Sequence, residues 1–315
     1  MRKVIGIGET VLDIIFRDSR PVSALPGGSV YNGMVSLGRA GIPAMFIGEV
    51  GNDRIGQMTV DFLRKNNVNT DYVNMFNGSK SPVSLAFLDN QNNADYIFYK
   101  DHQHDRMDYI SPEINADDIV MMGSYYAINP VIRPQVVALL NAARSKGAII
   151  YYDVNFRSSH INEVMKLTPN ILENYEYADI VRGSSEDFET LYKLDGPDRV
   201  YNAEISFYCK KFIYTSGNQP VQLRADQGFS KAYPVDNSHT VSTIGAGDNF
   251  NAGLVYGLLK YGITRSMIDN GLSEEQWNQV IACAQAFSAN CCQSLDNYID
   301  ESFGNEMKAQ YNSSK

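Results

Sequence analysis

Gly245-Ala246-Gly247-Asp248 stands just before an apolar run, Ala252-Gly253-Leu254-Val255-Tyr256-Gly257-Leu258-Leu259, and carries the sharpest chemical signal in the chain. Glycines this close together let a backbone turn tightly and aim successive N–H groups outward. A helix that begins there adds unpaired donors and the positive end of its dipole. Together these make a pocket for an anion such as a phosphate oxygen. A carboxylate beside such a pocket is unfavourable unless it acts on something. A general base that takes a hydroxyl proton while the amides hold the departing negative charge accounts for both features. A carboxylate that merely caps the helix accounts for Asp248 alone. Spacing by itself leaves these readings level.

Other chemical signals are weaker. Gly6-Ile7-Gly8-Glu9-Thr10-Val11 has the first half of a dinucleotide fingerprint. Val11 replaces its third glycine, however, and Val11–Phe16 reads as a strand where the fingerprint needs a helix. No G-x-x-x-x-G-K-[ST] is present, which excludes a P-loop. His102 and His104, within Asp101-His102-Gln103-His104-Asp105, would share one face of a strand, but no third ligand stands nearby, so a solvated loop is the reading. His160 and His239 are isolated. Cys209, Cys283, Cys291 and Cys292 are too few and too late for a disulfide framework, and no C-x-x-C suggests zinc.

The elements that must carry these residues follow a rhythm. Val4–Ile7 reads as a buried first strand, Ser29–Arg39 as a helix closing at Gly41, Ala44–Gly48 as a strand, and Ile55, Met58, Phe62 and Leu63 mark an amphipathic helix. Strand and helix alternating in this way predict a parallel sheet covered by helices. Two segments break the pattern. Val11–Phe16 and a hairpin across Val83–Tyr99, turning at Asp89–Asn93, predict a small separate sheet. The alternation then resumes: strand Asp118–Gly123, helix Pro134–Lys146, strand Ala148–Asp153, a helix start at Pro169–Glu173, strand Ile180-Val181 and strand Phe212–Thr215. Long helices near Gly247–Lys260 and Ser273–Cys292 follow. One α/β domain over 1–315, with an inserted lid from about 11–17 and 80–100, is the expected organisation.

Composition bounds the partners. The chain has 315 residues, with 27 Lys and Arg against 36 Asp and Glu, a net charge of −9. An acidic surface repels a polyphosphate, so nucleic acid is excluded as a partner, while small phosphorylated ligands are not. The N-terminus turns polar too soon for a signal peptide, and no apolar run approaches the ~18 residues of a membrane span. A cytoplasmic protein with reduced thiols is expected.

Gly245-Ala246-Gly247-Asp248, at this distance from the C-terminus, resembles the signature of the ribokinase-like PfkB carbohydrate kinase family. Other segments resemble that family in its own order. Pro26-Gly27-Gly28-Ser29-Val30-Tyr31-Asn32 is similar to its G-G-x-x-x-N sugar-binding segment, and Val50-Gly51-Asn52-Asp53-Arg54-Ile55-Gly56 to its V-G-x-D-x-x-G turn. Asp153-Val154-Asn155-Phe156-Arg157 is similar to its D-x-N-x-R strand end, and Thr215-Ser216-Gly217 to its T-x-G beside the nucleotide. The resemblance implies a three-layer α/β/α fold with a mostly parallel central sheet and a small β-sheet lid. It implies an ATP-dependent sugar kinase in which Asp248 deprotonates the acceptor hydroxyl and the amides of Gly245, Ala246 and Gly247 stabilise the γ-phosphoryl charge. Asp13, Gly27, Gly28, Asn32 and Arg157 would bind sugar, and Thr215, Gly217 and Ser184 would line the nucleotide site.

Two departures from the family pattern qualify this. Ser242 stands where relatives have an aspartate that helps bind a monovalent cation, and a neutral serine ligates potassium less well, which argues against potassium activation. The family's N-x-x-E, which positions Mg²⁺, is replaced within Val181-Arg182-Gly183-Ser184-Ser185-Glu186-Asp187-Phe188. Aligned as Ser184…Asp187 it resembles the S-x-x-E of some fructokinases; aligned as Gly183…Glu186 it offers the other acid, so Glu186 and Asp187 both remain candidates for Mg²⁺ support through water. The D-x-N-x-R strand end resembles fructokinases and 2-keto-3-deoxygluconate kinases more than ribokinases, which puts fructokinase first. The alternatives are 2-keto-3-deoxygluconate kinase, ribokinase or nucleoside kinase, and a sugar-binding member that has lost turnover. Tyr96, Phe98 and Tyr99 on the lid are the candidate substrate-selecting side chains. Pairing of exposed lid edges predicts a homodimer.

Overall fold

Val4-Ile5-Gly6-Ile7 is buried at every position, as a strand flanked on both faces must be. In the computed structural model, which describes residues 1–88, 94–100, 112–236 and 238–315, it is β1. β1 (Val4–Ile7), β2 (Val11–Arg17) and β3 (Arg20–Gly27) lead into α1 (Ser29–Arg39); β4 (Ala44–Gly51), α2 (Arg54–Lys65) and β5 (Val68–Phe76) follow. The middle of the chain runs β6 (Val83–Leu88), β7 (Ala94–Tyr99), β8 (Ile119–Gly123), α3 (Ser124–Ile128), α4 (Arg133–Lys146), β9 (Ile149–Asp153), α5 (Val164–Tyr177), β10 (Ile180–Ser184), α6 (Ser185–Tyr192) and α7 (Pro197–Val200). It ends with β11 (Phe212–Thr215), β12 (Val221–Arg224), β13 (Ser230–Tyr233), α8 (Ala246–Lys260), α9 (Arg265–Asn270), α10 (Glu274–Cys291) and α11 (Glu301–Ser313). The Asp89–Asn93 turn and the His102/His104 segment of the sequence reading lie outside the described residues, as does the Tyr96 side chain.

Among the described residues nine strands form one sheet in the order β13-β12-β11-β10-β9-β8-β1-β4-β5. Every pair from β11 to β5 is parallel, and β12 and β13 add an antiparallel margin. Strand periodicity divides the apolar residues between two cores. Val4, Ile119, Ile149, Ile180 and Ile213 face one core with residues of α1, α8 and α10; Ile5, Val120, Ile150, Val181 and Phe212 face the other with residues of α4 and α5. This is the expected α/β/α layering.

A second sheet has the order β3-β2-β6-β7. Its β3 went unread in the sequence because Pro21 and Pro26 demote a strand. It lies at the edge, where a missing N–H is tolerated. The helix expected to start at Pro169 instead starts at Val164 and carries the proline inside. The carbonyl that Pro169 leaves unpaired belongs to Met165, which is 86% exposed and so open to water.

α8 and α10 touch along glycines. A Cβ at Gly253 would lie 2.4 Å from the Cys283 carbonyl oxygen and 2.7 Å from Ala284 Cα. Gly253→Ala must therefore push the helices apart, and overpacking of this kind costs about 1–3 kcal/mol. Urea unfolding should show a lower midpoint with an unchanged slope; an unchanged midpoint would contradict this close packing.

Candidate active site

Chain order in the main sheet reverses between β1 and β8: β4 and β5 extend one side, and β8 to β11 the other. Loops leaving the carboxyl ends of two such strands diverge and open a crevice, the usual ligand position in an open parallel sheet. Several elements converge on this edge.

Gly27 and Gly28 join β3 to α1 and let the helix start come close. A Cβ at Gly27 would sit 2.3 Å from Asp13 Oδ2; at Gly28, with φ +131°, it would sit 2.2 Å from the Glu9 carbonyl oxygen. One turn into α1, Asn32 Nδ2 donates to Asp248 Oδ2 at 2.8 Å, while among the described residues the buried Asn32 Oδ1 has no hydrogen-bond partner. Asp13, on β2, accepts from Ser84 Oγ on β6 and from Asn297 Nδ2 at 3.1 Å. The V-G-x-D-x-x-G turn acts locally, since Asp53 caps α2 by accepting from Gly56 N at 2.8 Å and also holds Ser81 N at 2.8 Å.

Gly245 sits at the N-cap of α8 with φ +74°, packed where a Cβ would meet the Asn297 carbonyl oxygen at 2.8 Å. Of the three amides singled out in the sequence, Ala246 N–H is not available. Left-handed Gly245 closes a turn in which Ala246 N donates to Thr243 O at 3.2 Å. Among the described residues, Gly245 N and Gly247 N have no internal acceptor. Of the three donors expected for an anion, two therefore remain unspent, with the α8 N-terminus behind them.

Carboxylates crowd this edge. Burial is the largest influence raising Asp13 to about 6, reinforced by Asp248 and opposed by Ser84, Asn297 and Arg157. Half-buried Asp248 is also raised, first by lost solvent and then by Asp153; Asn32 and Arg157 oppose this. Arg157 is thus an exposed cation whose charge reaches both acids.

A further cation was not singled out in the sequence. Arg182 Nη1 pairs with buried Asp153 Oδ1 at 2.9 Å, and its Nη2 donates to Thr215 Oγ1 at 2.6 Å. Asp153 Oδ2 accepts from Asn251 Nδ2 at 2.7 Å, and Asn251 Oδ1 accepts from Tyr151 Oη at 2.6 Å. Arg182 lies against the glycine bend, since a Cβ at Gly247 would meet its Nη2 at 3.1 Å. Only tertiary contact between β9, β10, β11 and α8 reveals this role. The sequence shows just an arginine following the short apolar run Ile180-Val181.

The remaining candidates lie farther along the same edge. Ser184 caps α6, and Asp187 is spent locally: its Oδ2 accepts from Ser184 N at 2.6 Å and Ser184 Oγ at 2.8 Å, and its Oδ1 from Phe156 N at 2.8 Å. Glu186, in the same first turn, is exposed. Gly217 lies in the β11–β12 turn at φ +49° with open space where a Cβ would be. Buried Ser242 donates its N–H to Cys292 O at 3.2 Å.

The family model for pfkB family carbohydrate kinases matches residues 1–301. The probable chloroplastic fructokinase-6 of Arabidopsis thaliana is 27% identical over 306 residues, covering 93% of this chain and 76% of that protein. The fructokinase of Vibrio cholerae, in its fructose-, ADP- and calcium-bound form, superposes with a TM-score of 0.81 at 19% identity over 94% of each chain. Aminoimidazole riboside kinase from Salmonella enterica, with its riboside and an ATP analog, gives 0.80 at 19% identity over 98% of this chain and 100% of that one.

Asp13 yields a stability test. Its folded pKa of about 6 lies above the ordinary 3.8, so folding favours the protonated form. The contribution of Asp13 to stability is then most favourable below about pH 4 and declines as pH rises through about 6, by roughly 3 kcal/mol in all. Asp13→Asn should raise the melting temperature at pH 7.5, and the gain should vanish near pH 4. Equal melting of variant and wild type at pH 7.5 would show that the carboxylate is not strained.

Proposed function

The chain belongs to the pfkB family of carbohydrate kinases and is a sugar phosphotransferase; on that premise we propose that it is an ATP-dependent fructokinase with Asp248 as general base. The observation that carries this reading is the Asn32–Asp248 hydrogen bond at 2.8 Å, made beside the unspent amides of Gly245 and Gly247. A base must stand next to the site where charge develops, and here both occupy the first turn of one helix.

Asp13, Gly27, Gly28 and Asn32 hold the sugar: the glycines permit close approach, and a carboxylate and an amide oxygen accept its hydroxyls. The unpartnered Asn32 Oδ1 is such an acceptor. Asp248 takes the proton of the accepting hydroxyl as the phosphoryl group arrives, and its raised pKa makes it a better base than an exposed aspartate. Gly245 and Gly247 donate to the γ-phosphoryl oxygens. Arg157 reaches sugar or phosphate from the exposed side. Thr215, Gly217 and Ser184 line the nucleotide, with the Thr215 hydroxyl held by Arg182.

Mg²⁺ ordinarily keeps several waters and takes one or two carboxylates plus substrate phosphates. That suits a site where, among the described residues, no group of three acidic, histidine or cysteine side chains is arranged to hold a metal ion by itself. Exposed Glu186 is the acid free to hold its water; Asp187 is committed to the α6 cap. Bound there with ATP, the ion would neutralise phosphate charge. No described helix is long and apolar enough to cross a membrane, and the four free cysteines accord with a reducing cytoplasm.

Fructose leads the candidate acceptors because the curated relatives carry that name, ahead of sugar acids and nucleosides. Phosphoryl transfer from ATP across a sugar panel tests the reading, with Asp248→Asn expected to lower kcat by about 10²–10⁴-fold. Binding of a sugar without its phosphorylation would overturn it. Assembly belongs to the same proposal. The edge strands β3 and β7 expose Val22, Ile97, Phe98 and Tyr99, and a second copy covering them makes a homodimer. Sedimentation at micromolar concentration should give twice the 35.2 kDa chain mass; a monomer would refute this pairing.

A further inference from the structure

Asn249, directly after the proposed base, is 0% exposed, and its amide is fully used. Its Oδ1 accepts from Ser36 Oγ at 2.5 Å, and its Nδ2 donates to Gly245 O at 2.8 Å and to Asn297 O at 2.9 Å. Gly245 O also accepts the Asn249 backbone N–H at 2.9 Å, so residue 249 grips the glycine bend twice. Asn297 in turn donates its own Nδ2 to Asp13 Oδ2 at 3.1 Å, and Ser36 Oγ accepts Ile299 N at 3.2 Å. One buried amide therefore joins the bend, the 297–299 segment, α1 and, through Asn297, the carboxylate on β2.

We propose that Asn249 is a positioning residue for phosphoryl transfer. Its two donated hydrogen bonds hold the phosphoryl-facing bend and the Asp13 support in one register. This rests on the roles given above to Asp13 and Gly245. Sub-ångström register between acceptor and phosphoryl group governs transfer rates, and no other described side chain bonds both the Gly245 and Asn297 carbonyls. A residue that only filled space here would be replaceable by its isostere. A donor would not, because aspartate aims oxygens at two carbonyls.

Asn249→Asp and Asn249→Ser test this in the full-length enzyme, with near-UV circular dichroism and melting curves establishing that each folds. Expected in both are a kcat lower by about tenfold or more, a sugar KM several-fold higher and an ATP KM within about twofold. Carboxyl ¹³C NMR should also show Asp13 titrating higher by about half a pH unit once Asn297 is released. Asp13 is otherwise faced by Asp248 from α8, by Arg157 beyond β9, by Ser84 from β6 and by Tyr298; none of these is altered. Should both variants fail to fold, Ser36→Ala frees the same amide from its Oδ1 side and should move both readouts in the same direction. A folded variant with wild-type kcat and sugar KM, or with Asp13 titrating as in wild type, overturns the proposal. If wild type phosphorylates no sugar, the fructokinase reading fails, while the Asp13 titration still decides the coupling.

Discussion

Like charge held at close quarters sets the terms at the carboxyl edge of the sheet. Asp248 raises Asp13, Asp153 raises both Asp248 and Asp187, and little solvent screens the group. Left alone, such a cluster would protonate or spread apart. Each carboxylate is held by partners of its own: Arg182 and Asn251 on Asp153, the α6 cap and Phe156 N on Asp187, Asn32 on Asp248, Ser84 and Asn297 on Asp13. Asp13 and Asp248 keep raised pKa values within that arrangement. That is how a carboxyl group becomes useful as a base or a hydroxyl acceptor.

The backbone makes the crowding possible. Gly27 and Gly28 remove side-chain bulk where β3 turns into α1, and left-handed Gly245 lets the α8 start press on the 297 segment. The amides of Asn32, Asn249 and Asn297 then have short paths to their acceptors. Breaking the Arg182–Asp153 pair by removing one partner would leave a buried charge without compensation. Rigidity and chemistry share the same atoms.

Much of this was legible from residue order. The strand–helix alternation gave the layered fold, and the Gly245–Asp248 spacing marked the glycine bend that opens α8 with a carboxylate in its first turn. What stayed hidden has physical causes. β3 carries two prolines, acceptable only because it is an edge. β5 is half-buried and rich in Asn and Asp, so its periodicity is faint. The inward turn of Ala246 N–H follows from the left-handed geometry of Gly245, which a glycine permits without requiring. Arg182 and Asn249 owe their importance to partners tens or hundreds of residues away, and nothing in their immediate sequence reports it.

Interlocking also separates reaction from acceptor choice. A change in any member of the Asp13–Asn32–Asp248 floor disturbs its neighbours' charge as well as its own contacts, so the floor is poorly suited to variation. The outer face is less interlocked: Phe98 and Tyr99 on β7 are exposed at the second sheet, while exposed Arg157 beyond β9 reaches the floor through its charge. Exposed side chains can change size or polarity at little cost to folding. On the proposed fructokinase reading, a site built this way keeps one phosphoryl-transfer geometry, and we propose that acceptor choice rests with the exposed residues around it.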